Sequence, residues 1–256
     1  MLGRATGGRN NTVLEKTIRN AKVTPSIDPE ASAEATLLQH LERCGELNST
    51  PAADEHFSGA EAECQAALSL APRDPFVLLA LGKTMRQQQK VKESAAVYKQ
   101  AVALDPDLAL GHVLLADALF GQGSEYRDEG LIQGLAALRL DPKSNEAMTL
   151  FAFLFGDAGV SDRDISTLRS EISSHPNDPV PHFVLGLAYA ESTESSHLQK
   201  AAIELRRAIR LDPGNAWYHY HLGGVLSDSG NKQTASVELE VARKLEPDND
   251  IFLPKD

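Results

Sequence analysis

The sequence predicts an all-α protein built from stacked helix pairs, and three observations lead to that reading. Pro72, Pro106, Pro142, Pro176, Pro213 and Pro247 succeed one another at intervals of 34, 36, 34, 37 and 34 residues. The apolar residues between them recur at helical spacing, as where Ala201, Leu205 and Ala208 share one face. Ala and Leu carry the apolar content while aromatics make up only 5% of the chain, a mix that suits packed helices better than strands.

Residues 1–30 lack a steady period and end in the breaker-rich run Thr24-Pro25-Ser26-Ile27-Asp28-Pro29, so they read as a loose tail with at most a short helix. Their bases, Arg4, Arg9, Lys16, Arg19 and Lys22, face a single acid, Glu15, and leave organelle import as the alternative reading. A helix follows over 31–47, with Leu37, Leu38 and Leu41 as its stripe, then a loop over 48–54. The next helix carries Ala60, Cys64 and Ala67 and closes at Ala71-Pro72. From residue 75 onward the pattern repeats: a helix, a short turn, a second helix and a Pro-containing stop, as in Leu211-Asp212-Pro213-Gly214.

The units at 75–106, 179–213 and 216–247 share more than a period. The first supplies Leu78, Leu81, Gly82, Met85, Tyr98 and Ala101, and the second Leu185, Gly186, Tyr189, Ala201, Leu205 and Ala208. The third supplies Leu222, Gly223, Leu226, Ala235, Leu239 and Ala242. Large and small residues in this order, with a period of about 34, resemble the tetratricopeptide repeat. The resemblance covers about six repeats over 31–247, at 31–72 (degenerate), 75–106, 109–142, 145–176, 179–213 and 216–247, followed by a tail over 248–256. It implies a right-handed superhelical solenoid of antiparallel helix pairs whose concave face is lined by the first helix of each pair.

Departures from the pattern locate irregularities. Two extra residues lengthen the turn near 123–127, and three more fall near 192–196. In the fourth repeat Asp164 and Glu171 stand where the family has small residues; buried and unpaired they would be costly, so the helix is expected to rotate or splay into a weak spot. In the last repeat Ser236 and Arg243 put polar groups on the face that would otherwise meet another repeat, as a terminal unit requires. The tail with Ile251, Phe252 and Leu253 can fold back or stay loose.

By the same resemblance the groove is lined in its N-terminal half by Leu79 and Lys83, with Phe76, Leu110, Val113 and Asp117. Its C-terminal half is lined by Phe153, Phe183, Leu187, Trp217 and Tyr220. Aromatic anchors of this kind dominate binding energy at interfaces. Their structural alternative is packing against neighbouring repeats or the N-terminal segment. The subgroup that grips chaperone carboxylates uses Lys, Arg and Asn in the groove; Lys83 and Arg86 sit at the right depth, but Val113, Asp117 and Thr149 break the rest. His112, His182 and His219 recur at one register, yet stacked helices lie about 10 Å apart. No shared metal is therefore expected, and they read as polar-tipped packing residues.

Bulk properties narrow the function class. A net charge of −11 without a basic face disfavours nucleic acid, and no apolar run spans a membrane. Cys44 and Cys64 read as reduced core thiols of a cytoplasmic protein, on helices that can face each other. No HExxH, GxSxG, Walker or CxxC motif is present, so neither an enzyme nor a cofactor is implied. The sequence thus points to a non-enzymatic scaffold or adaptor that holds a protein or peptide partner in its groove. The alternative is an accessory subunit that docks on an enzyme complex through its convex face and long turns. A basic stripe, Lys200, Arg206, Arg207 and Arg210, opposite the acids Glu42, Glu46, Asp54, Glu55, Glu61 and Glu63, adds head-to-tail self-association as a further expectation.

Overall fold

The computed structural model describes residues 29–49, 54–156, 159–191 and 195–252. Among them are 12 α-helices, two short 3-10 turns and no strand. The expectations for residues 1–28 and Leu253 lie outside the described residues, as do parts of the loops at 48–54 and 192–196. The chain divides into two units, Met1–Gln122 and Gly123–Asp256, a boundary that falls inside the repeat placed at 109–142.

The first unit holds α1 (Pro29–Ser49), α2 (Asp54–Leu70), α3 (Pro75–Gln87), α4 (Val91–Leu104) and α5 (Ala109–Gln122), each packed on the next. Its helices start and stop for local reasons. Asp74 caps α3 by accepting from the Phe76 amide at 2.8 Å, with Pro75 in the first turn, where a missing N–H costs nothing. After α4, Asp105 accepts from the Asp107 amide and closes the turn that Pro106 enforces. Asp141 and Asp212 do the same before Pro142 and Pro213, so at three of the six stops the signal is an Asp-Pro pair rather than proline alone.

Close approach of the pairs rests on the small residues read from the sequence. A Cβ added at Gly82 would come within 2.5 Å of the Tyr98 ring, and one at Gly223 within 2.7 Å of Leu239. Ala60 and Ala67 likewise let α2 meet α1, and there the reading of separate thiols is corrected: a disulfide joins Cys44 and Cys64 across the pair, with Cα atoms 5.5 Å apart. The antiparallel contact brings the two Cα atoms within the range a disulfide needs. Thr84 of α3 sits over the bond with its Oγ1 3.5 Å from both sulfurs, while Asn48 donates to it at 2.7 Å.

The second unit opens with Gly123, whose φ of 124° few other residues tolerate. A 3-10 turn, Ser124–Tyr126, follows, so the two extra residues do lengthen this turn. Then come α6 (Arg127–Leu140), α7 (Asn145–Gly156), α8 (Asp162–Ser174), α9 (Pro179–Ala190), α10 (Ser195–Leu211), α11 (Ala216–Asp228) and α12 (Lys232–Leu245). The pairs α9/α10 and α11/α12 pack closely and α10 bridges them. At 17 residues, α10 exceeds the 14 of α12, so part of the insertion near 192–196 extends the helix.

The fourth repeat splays as expected, but not for the expected reason. Among the described residues α8 lies mainly against α6 and α9 rather than against its own partner α7. Asp164, 0% exposed, is far from unpaired: Arg127 Nε of α6 donates to it at 2.6 Å. Its other oxygen accepts from the Ser161 amide at 2.8 Å in a reciprocal cap. Arg139, also on α6, holds Glu171 at 2.8 Å and Asp178 at 2.5 Å. Between them Asp128 accepts from Arg163 Nε and from the Thr167 hydroxyl, each at 2.8 Å. Charges thus replace small residues in seating α8, and the buried carboxylates are anchors rather than defects.

The tail folds back as far as it is described. A 3-10 turn, Asp250–Phe252, places Phe252 4% exposed against α11, beyond the polar Ser236 and Arg243.

Candidate functional site

The residues expected in the groove divide sharply by exposure. Phe153 of α7 is 61% exposed. Thr149, Ala152 and Gly156 are exposed beside it, and spacings of three and four residues set all of them on one face. Above the same turn, Phe151 points the other way and rests on Gly134 of α6, where an added Cβ would lie 2.7 Å from its ring.

Phe183 is 0% exposed and does not line an open surface. Its ring lies 4.8 Å from Tyr218 and 5.4 Å from His221 of the next first helix, because a side chain this long reaches its neighbour before it reaches solvent. Leu79 and Leu187 are buried too, and Trp217 is 5% exposed. Packing, the structural alternative weighed above, thus describes these four. Tyr220 is half-buried, with its ring 5.1 Å from that of Phe252. Lys83 is half-buried on α3, and the neighbouring Arg86 is held by Asp117 at 3.0 Å, within a charged pair rather than a carboxylate clamp.

His221 was missed as a site residue. It stands between Phe183, Trp217 and Tyr220, with its Nε2 enclosed and without a hydrogen-bond partner. Burial lowers its pKa from 6.5 to about 4, so the ring is neutral at pH 7. The Trp217 indole N–H is enclosed and unpartnered as well. No sequence period singles this residue out, since two residues earlier His219 carries the more regular pattern.

The recurring histidines instead join the two helices of a pair. His182 Nδ1 lies 2.7 Å from Glu204 and His219 Nδ1 2.7 Å from Glu238. His40 Nδ1 in the first pair lies 2.6 Å from Glu63. His112 and His219 also turn Nε2 toward the carbonyls of Pro106 and Pro213, at 2.9 and 3.3 Å. Burial pushes the Glu204 carboxyl up, but hydrogen bonds from His182 and Arg207 outweigh it and hold the group below its usual range. Among the described residues no group of three or more His, Cys, Asp or Glu is placed to hold a metal. Both patches proposed for self-association are partly engaged within the chain: Arg207 with Glu204 at 2.6 Å, and Glu61 with Lys90 at 2.7 Å. No helix among the described residues is long and apolar enough to cross a membrane.

A family model described as TPR repeat matches residues 82–123. Among solved structures, YrrB, described as a TPR protein with an unusual peptide-binding site, is 18% identical, with 74% of this chain and 95% of that one covered at a TM-score of 0.38. MamA from Desulfovibrio magneticus RS-1 is 18% identical, covering 88% and 99% at a TM-score of 0.38. TTC0263, a thermophilic TPR protein from Thermus thermophilus, is 17% identical, covering 86% and 94% at 0.38. These likenesses add nothing to the helix pairs already described. A comparison with curated protein sequences finds no match. Residues 82–123 thus match a tetratricopeptide repeat, and helix pairs built with the same large and small residues stand on either side of it.

Proposed function

We propose that this repeat protein is a non-enzymatic scaffold that holds a segment of a partner protein against its first helices, with Phe153 as an anchor. The supporting observation is the face of α7, where a 61% exposed phenylalanine stands among exposed small residues. An open aromatic ring beside Ala152 and Gly156 offers a partner both a large contact area and room to approach the backbone. Affinity capture with mass spectrometry tests this on wild type and Phe153→Glu, whose open position leaves helicity intact by circular dichroism. A partner held by wild type and lost by the variant supports the reading. Equal capture by both overturns it.

A second reading, docking through the second helices, rests on Ile203 of α10 and Val237 of α12, both exposed. Under it Ile203→Asp with Val237→Asp abolishes capture while Phe153→Glu does not.

A further inference from the structure

The aromatic cluster on α11 carries a separate inference, independent of the Phe153 face. Trp217, Tyr220 and His221 form a continuous surface: the Trp217 ring lies 6.0 Å from His221 and 6.1 Å from Tyr220. Phe183 lies against its His221 end, and a tail side chain lies against the rest. The Phe252 ring sits 5.1 Å from both Trp217 and Tyr220, edge-on to the first. Its own segment is held largely to itself. The Phe252 amide donates to the Asn249 carbonyl at 3.0 Å, and the Ile251 amide to Asn249 Oδ1 at 3.1 Å. Among the described residues its one hydrogen bond with a helix is long, with Arg243 Nε donating to the Phe252 carbonyl at 3.4 Å. Upstream, Glu246 pairs with Lys143 at 2.6 Å and accepts from Asn249 Nδ2 at 3.0 Å. The last turn can therefore leave while the chain before it stays in place.

Phe252 also covers the surface incompletely. It supplies apolar area, yet the Trp217 indole N–H and His221 Nε2 stay enclosed with no partner. Buried polar groups in folded proteins are nearly always hydrogen-bonded, and an exception calls for an explanation. A segment that brought a backbone carbonyl to the indole N–H along with an aromatic ring would satisfy the Trp217 donor that Phe252 leaves open. We propose that Trp217, Tyr220 and His221 form a seat for an aromatic side chain on an extended segment of a partner protein, and that Phe252 occupies this seat in the partner's absence. The chain's own Asp-Ile-Phe shows the chemistry that fits, and the tail thereby acts as an autoinhibitory plug.

Trp217 is the sole tryptophan, so its emission reports the seat alone. The test uses the full chain carrying Phe252→Ala and, as probe, a synthetic peptide with the sequence of residues 246–256. Phe252→Ala should keep its helicity and shift the emission to the red, and the peptide should restore it saturably. Binding should be at least about tenfold tighter than to wild type, where the tethered Phe252 competes at high effective concentration. The same peptide with alanine in place of its phenylalanine should not bind. Unchanged emission in Phe252→Ala, or equal affinity for variant and wild type, overturns the proposal. If Phe252→Ala loses helicity, Phe252→Leu keeps an apolar filling and is titrated in its place; affinity no tighter than wild type overturns the proposal there. A wild-type dimer that Phe252→Ala abolishes, seen by light scattering, would assign the seat to a second copy's tail and overturn the partner reading.

Discussion

Arg127→Ala is the substitution that most directly tests how the charged interface seats α8. It removes a guanidinium 2.6 Å from Asp164 and 2.7 Å from the Gly159 carbonyl. The Arg127 side chain is 16% exposed and Asp164 0%, so the carboxylate left behind has no route to solvent. Its remaining partner is the Ser161 amide at 2.8 Å, which satisfies one oxygen only. Breaking a buried pair in this way costs about 3–5 kcal/mol, most of it the uncompensated charge. Asp164→Asn removes the charge itself, keeps the shape of the cap and leaves an arginine that can still reach water, so about 1–2 kcal/mol is expected. The double variant should cost less than the sum, because without Arg127 the asparagine no longer strands a charge. Urea denaturation gives the global loss, and native-state hydrogen exchange read by mass spectrometry localises it to α8. A loss below about 1 kcal/mol in Arg127→Ala, with α8 protection unchanged, would refute the anchoring role and restore the picture of α8 as an intrinsic weak spot.

Other outcomes follow from the same structure. Gly223→Ala places a Cβ 2.7 Å from Leu239 and should destabilise by about 1–3 kcal/mol in thermal melts, whereas Gly224→Ala, with open space at that position, should be near neutral. Acid should destabilise the second unit. The His221 pKa is depressed from 6.5 to about 4, so its contribution is full above pH 6.5 and is lost as pH falls toward 4, at most about 3 kcal/mol, readable in urea midpoints against a His221→Phe control. Glu204, held below its usual range despite burial, adds a further loss as pH drops through its folded value. Reduction of the Cys44–Cys64 bond, which closes a separation of 20 residues, should cost about 3 kcal/mol and raise exchange in α1 and α2 first.

Much of this fold was legible in the sequence because its signals are local. Proline spacing, the Asp-Pro turns and the alternation of Gly82, Gly186 and Gly223 with Tyr98, Leu205 and Leu239 concern residues within one helix pair, where the helical period dictates who meets whom. The candidate site was less legible. Register says which residues of a first helix point away from its partner, but not how far the next helix stands from it. Phe183 and Trp217 are expected on the same groove face as Phe153, yet Tyr218 and Phe252 lie against the first two while the third stays open.

By itself the sequence determined the helix pairs, their order and their close contacts, since those depend on interactions within about 34 residues. Only the tertiary structure decided where α8 went, which sulfurs met and which aromatic rings stayed open. Those outcomes depend on partners that share no period with the residue they bind. Arg127 captures Asp164 from 37 residues away, and Phe252 covers Trp217 from beyond the end of its repeat. Charge attraction and ring packing act through space, so no spacing rule along the chain announces them.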